Sequence, residues 1–348
     1  MLKKVVLLTC ASILCRADDI TPRVGAIEVF GNRKISAKKI LAAVGAREGN
    51  PPPSPEAAED RIDEIPGVLA SRVEATCCNA HKITLYVGIE ERDSPRIEFH
   101  PQPTAELKLP AEIVDAYQSF LDAVAGNFRD DLHDQDLTHG YSLFEGPEAN
   151  NVQHRFLELA ARDLGFLDQV IRTSAYPEQR TIAAYVLQYA PRGPRTTDIM
   201  VNALQYALQD SEDSVRQNAM RALKAVAVGA RLHPEQNIRL EPTWFIELLN
   251  SPVWSDRYNA SLALVDLTER RNPDTLALLR ERALPSLIEM AKWKDLRHAL
   301  PAFILTGRVA GLSEDQIKQA WVQEDREAVI AQALSPKRKF HFTGKSKT

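Results

Sequence analysis

Cysteine is almost missing from this chain: four residues in 348, two of them within the first fifteen positions. So few cannot form a disulfide framework, so an apolar core has to hold the fold. Long hydrophobic runs are missing too. Beyond position 17 nothing approaches the ~18 apolar residues that cross a bilayer as a helix, which excludes a helical channel. Neither sign of charge prevails. The 43 Lys and Arg stand against 47 Asp and Glu, with a net charge of −4 and a pI near 6.1. That balance argues against bulk nucleic-acid binding. Catalytic signatures are also lacking: there is no Gly-x-Ser-x-Gly elbow, no His-Glu-x-x-His pair and no glycine-rich cradle after a strand. Gly344-Lys345-Ser346 copies the end of a phosphate loop, but Lys339 stands where that loop needs a glycine. No enzyme activity and no cofactor is expected. What is present is ordinary globular material, 44% hydrophobic and 26% charged, long enough for about two domains.

Residues 1–17 read as removable. Lys3 and Lys4 precede a mostly apolar run at 5–14, and Ala17 offers a small residue for cleavage before Asp18. This is the pattern of a secretory signal peptide, so a periplasmic or secreted protein of the cell envelope is expected. A buried N-terminal strand or helix is the alternative. Cys10 and Cys15 raise the idea of a lipid anchor, but Thr9 and Leu14 stand where a lipobox carries Gly, Ala or Ser. Removing Lys3, Lys4 and Arg16 takes the net charge from −4 to −7. Residues 335–348 hold five cations and no acid, so the body between is near −12 and the tail reads as a solvated, flexible terminus.

Residues 22–93 read as a small α+β unit. A strand at 24–30 stops at the turn pair Gly31-Asn32. Ser36 suits the N-cap of a helix at 37–44, and Ser54-Pro55-Glu56 opens a second one that ends at Pro66-Gly67. Val73, Ala75 and Cys77 alternate with Arg72, Glu74 and Thr76, as in a strand with one buried face. Ile83, Leu85, Val87 and Ile89 then alternate with Thr84, Tyr86, Gly88 and Glu90. Cys77 and Cys78 are a core thiol on one face, a vicinal disulfide or, with His81, a metal site; opposite-pointing neighbours argue against the last.

The order strand, helix, helix, strand, strand, with Ile27-Glu28-Val29-Phe30-Gly31-Asn32, Ile35-Ser36, Gly67 and Tyr86-Val87-Gly88-Ile89-Glu90, resembles a POTRA domain. The resemblance implies chaperoning or docking beside outer-membrane barrels, often by strand addition at a sheet edge. On that basis residues 71–76 should be an open edge, with Arg72 and Glu74 facing solvent. The chain carries neither the β-barrel nor the several copies usual in that family.

Residues 94–110, with four prolines, read as a linker. Residues 111–150 read as a helical connector with an acidic loop. Ile113, Tyr117, Phe120, Leu121 and Val124 mark one side of a helix at 111–125. The loop Asp130-Asp131-Leu132-His133-Asp134-Gln135-Asp136-Leu137-Thr138-His139 is the densest set of potential metal ligands, but its spacing fits no ligand motif.

Residues 151–334 contain a repeat. Arg180, Arg216, Arg257 and Arg297 align at spacings of 36, 41 and 40, each followed seven residues later by Leu187, Leu223, Leu264 or Ile304. A further helix precedes each, at 166–173, 199–208, 244–249 and 284–290. Such pairs bury their apolar sides only by stacking. The pattern resembles HEAT repeats, most clearly at Asp213-Ser214-Val215-Arg216-Gln217-Asn218-Ala219-Met220-Arg221-Ala222-Leu223. In that family the aligned arginine usually hydrogen-bonds within or between repeats. Pro301 should delay or kink the last helix.

Positions one, five and eight after each arginine lie opposite the apolar arc. The resemblance places them on a concave surface, where Tyr185, Arg221, Tyr258 and His298 would contact a partner. The competing reading puts Leu262, Val265 and Leu305 under a capping C-terminal helix at 314–334. The expectation is therefore an α+β unit joined to an all-α solenoid, acting as a non-enzymatic adaptor for protein partners such as envelope assembly components. The alternative is a metal-dependent or lyase-type HEAT-like enzyme working near Asp130 and His139.

Overall fold

The computed structural model describes residues 22–79, 82–94, 96–127 and 135–335. The expected signal peptide and the tail beyond Ser335 lie outside them, as do His81 and residues 130–134 of the acidic loop.

The strands β1 (Arg23–Phe30), β2 (Val68–Asn79) and β3 (Lys82–Glu91) form a mixed sheet in the order β1-β3-β2. β1 runs parallel to β3 and β2 antiparallel to it. The helices α1 (Ala37–Val44) and α2 (Pro55–Asp63) cover one face. Ile40, Val44, Ala58 and Ile62 pack there against Val73, Val87 and Ile89. α1 ends at Gly45, whose φ of 71° a residue without Cβ adopts at no steric cost.

The other face of the sheet was expected to be solvated. Instead it is buried against the helical half of the chain. Tyr86 is 0% exposed and shares a core cluster with Phe30 and the solenoid helices. A Cβ on Gly88 would lie 1.7 Å from the carbonyl oxygen of Pro252, so only glycine admits this approach. β2 departs from the expected one-face pattern as well. Val73 is buried, but Ala75 and Cys77 are exposed, because the helical layer reaches Val73 and goes no further along the strand. Cys77 is disulfide-bonded.

α3 (Ala111–Asn127) buries Ile113, Ala116 and Phe120; Leu121, expected on that side, is exposed. The stretch 94–110 is no free linker. His100 N–H donates to Gln209 O at 2.7 Å, Ala105 exchanges bonds with Thr173 and Ala175, and Leu109 is buried.

A long helix, α4 (Pro147–Thr173), with a break at Asp163, begins the repeats. α5 (Pro177–Leu187), α7 (Asp213–Leu232), α9 (Trp254–Leu267) and α12 (Leu296–Ala310) pack in series as an inner layer. α4, α6 (Pro194–Ala207), α8 (Thr243–Leu248) and α11 (Leu284–Ala291) pair with them outside, and α10 (Pro273–Arg282) is an extra helix. Together they are a helical repeat domain. Pro301 sits inside an unbroken α12, buried. The single capping helix expected at 314–334 is two, α13 (Glu314–Val322) and α14 (Arg326–Leu334), separated where Glu324 takes a φ of 57°. No helix among the described residues is long and apolar enough to cross a membrane.

Candidate functional site

The aligned arginines form a ladder inside the solenoid. Arg180 chelates Asp210 at 2.7 and 2.8 Å, Arg216 reaches Asp256 at 2.7 Å, and Arg257 reaches Glu289 at 2.9 Å. Each also donates to the carbonyl six residues before it: Ser174, Asp210 and Ser251, at 2.8, 2.9 and 2.6 Å. The three arginines are buried, and each pair joins one repeat to the next. Their role is to hold the stack in register. The fourth arginine departs. Arg297 is 60% exposed and pairs within its own turn with Asp295. The carbonyl six residues before it, Ala291, is bound at 3.0 Å by Arg326 of α14, so the C-terminal cap supplies the missing rung.

The concave row expected to meet a partner is largely covered by the chain itself. Tyr185 is 7% exposed, with its ring 4.9 Å from Phe120 of α3 and its hydroxyl accepting from Gln153 at 3.2 Å. Burial pushes its phenol well above the ordinary value. Tyr258 stacks on Trp254 at 5.1 Å and meets His298 edge-on at 4.9 Å. His298 is buried. Its Nδ1 lies 2.7 Å from the Tyr86 hydroxyl of β3, with Asp295 at 3.7 Å. Burial lowers the imidazole's proton affinity, against the pull of Asp295. α3 thus covers the first repeat, and the sheet covers the third and fourth. Of the row, Arg221 alone remains fully exposed. A 3.6-residue period identifies this face but not its cover.

Glu74 does not face solvent as expected. It accepts from Ser255 Oγ at 2.7 Å and Ser255 N–H at 3.2 Å, and burial raises its carboxyl pKa. The edge of β2 is only partly open. Val73 N–H donates to Glu59 Oε1 at 2.7 Å, and the Ser71 carbonyl accepts from Arg72 Nη1 at 2.8 Å. In the acidic loop, Asp136 accepts from Thr138 N–H at 2.8 Å and lies 3.7 Å from His139, which stacks on Tyr141. Among the described residues no group of three or more His, Cys, Asp or Glu is placed to hold a metal ion.

Arg72 opens into a groove of about 930 Å³ between the end of the sheet, the pinned stretch and the turns of the solenoid. Ile97, Phe99, Pro252 and Val253 are apolar parts of its lining, next to the buried Arg216 and Arg257. Phe99 lies over the first at 4.2 Å and Phe30 over the second at 4.5 Å. The sheet and the stretch after it bring Arg33, Arg72, Glu90 and Arg96 to the lining; the solenoid turns and helix ends bring Glu212, Asp213, Glu247, Glu281, Arg282 and Glu289. Sequence reasoning reached Arg72 and, as part of the repeat motif only, Asp213. Arg33, Arg96 and Glu281 carry no local signal, because what unites them is position across a cleft.

No protein-family model and no curated protein matches the sequence. Among solved structures, a designed armadillo repeat protein is similar over 53% of this chain and 93% of its own, at 15% identity and a TM-score of 0.35. That likeness is too loose to argue from, and the repeat architecture rests on the helix packing described above.

Proposed function

We propose that the protein is a non-enzymatic scaffold of the cell envelope that holds a protein partner in the groove beneath the sheet. One observation carries this reading: the inner-helix row is covered at its first, third and fourth repeats by the chain's own α3 and sheet, while the groove lined by Arg72 is open, with apolar and charged residues both in its lining. The β-α-α-β-β order, with β2 at the sheet edge, supports a POTRA-like reading of residues 22–93. Lys3, Lys4 and the apolar run after them support export. Partners among outer-membrane or envelope assembly components follow from those two readings together.

A photo-crosslinking residue placed at Arg72 in producing cells should trap a discrete protein adduct. The same residue at the exposed Lys318 of α13, which does not line the groove, should trap none. Equal labelling from both positions, or none from Arg72, removes the scaffold reading.

A further inference from the structure

The two walls of the groove have opposite sign, and they do not neutralise each other. Arg33 and Arg72 form no ion pair among the described residues, nor do Glu212, Asp213 and Glu281 on the facing wall. The remaining charges of the groove are matched on their own side. Arg96 lies 3.5 Å from Glu90, Arg257 binds Glu289, and Arg282 binds Glu247. What is left over is a positive wall built by the sheet end and a negative wall built by the solenoid turns. Each belongs to a different structural unit. Unpaired charges facing one another across a cleft define the electrostatic complement of whatever enters it.

We propose that the groove takes an extended polypeptide whose side chains alternate acidic and basic; this rests on the scaffold reading above. The conformation follows from the walls. In an extended strand successive side chains point to opposite sides, so alternation presents every acid to Arg33 and Arg72 and every base to Glu212, Asp213 and Glu281. A helix places residues three and four apart on one side and cannot divide an alternating sequence this way. The apolar lining residues Ile97, Phe99 and Val253 are there to meet the backbone and the aliphatic stems of the charged side chains. A ligand of one sign would meet attraction on one wall and repulsion on the other.

The test uses the full chain and labelled decapeptides read by fluorescence anisotropy. One peptide alternates Glu and Lys; a second has the same composition as a block of five Glu and five Lys; two others are all Glu and all Lys. The alternating peptide should bind about tenfold more tightly than the block, and the binding should weaken with salt. Charge reversal by Arg33→Glu with Arg72→Glu should cost about tenfold, as should Glu212→Lys with Asp213→Lys. Arg221→Glu, exposed but outside the groove, should change nothing. The milder pair Arg33→Gln and Arg72→Gln, with an unchanged melting temperature, guards against misfolding. Equal binding of block and alternating peptides, or an equal loss from Arg221→Glu, overturns the proposal. If a single-sign peptide binds best and the Arg72 crosslink still forms, the charge pattern is wrong and the scaffold reading stands. If no peptide binds and the crosslink fails, both fall.

Discussion

Arg216 and Arg297 occupy equivalent places in the repeat, yet they do different work. Arg216 is buried with Asp256, which also accepts from Ser251 Oγ at 2.8 Å, so its removal strands a carboxylate in the core. Breaking such a pair typically costs about 3–5 kcal/mol. Arg216→Ala should therefore lower stability by about that amount in a denaturant titration. Arg297→Ala removes a largely exposed pair and should cost no more than about 1 kcal/mol. Equal losses would mean that the ladder does not carry the stack. The alignment of these arginines was legible from spacing alone. Their partners were not, because Asp210, Asp256 and Glu289 lie 30, 40 and 32 residues away and only the stacking of repeats brings them near.

Among the elements, β3 decides the architecture. Its helix-facing residues follow the expected alternation, but its second face carries Tyr86 into a set of rings formed by Trp254, Trp293 and His298. Aromatic contacts at these centroid distances of 4.8–5.6 Å add to the burial they bring. Glu74 and Gly88 complete the contact, one by bonding Ser255 and the other by having no side chain. Gly88→Val should force the sheet away from Pro252, at a cost of at least the 1–3 kcal/mol typical of overpacking, roughly stated. Calorimetry should then show two transitions where the parent shows one. A single unchanged transition would contradict the docked arrangement. In sequence, Gly88 reads as one more small residue in a strand, since close approach by a turn some 160 positions later leaves no local trace.

For the whole molecule, the two halves complete each other. The sheet lacks a cover on its second face, and the solenoid lacks one over its third and fourth repeats; each supplies the other's. A chain lacking residues 22–93 should therefore expose Trp254 and Trp293, the latter only 2% exposed in the intact protein. Its tryptophan emission should shift to the red and quench more readily with acrylamide. Emission identical to that of the full chain would show that the rings are covered without the sheet.

The strand-helix-helix-strand-strand order of residues 22–93, the phase of the repeats and the alignment of their arginines were determined by the sequence itself. Each depends on the period of apolar residues or on a repeated spacing, and both are written along the chain. Which faces stay open was decided only by the tertiary structure. Tyr185, Tyr258 and His298 carry the same residue types whether a partner or the chain's own α3 and β3 lies over them. The groove is likewise a product of docking: Arg72 and Glu281 line one cleft because two separately encoded surfaces pack together, and no periodicity along the chain connects them.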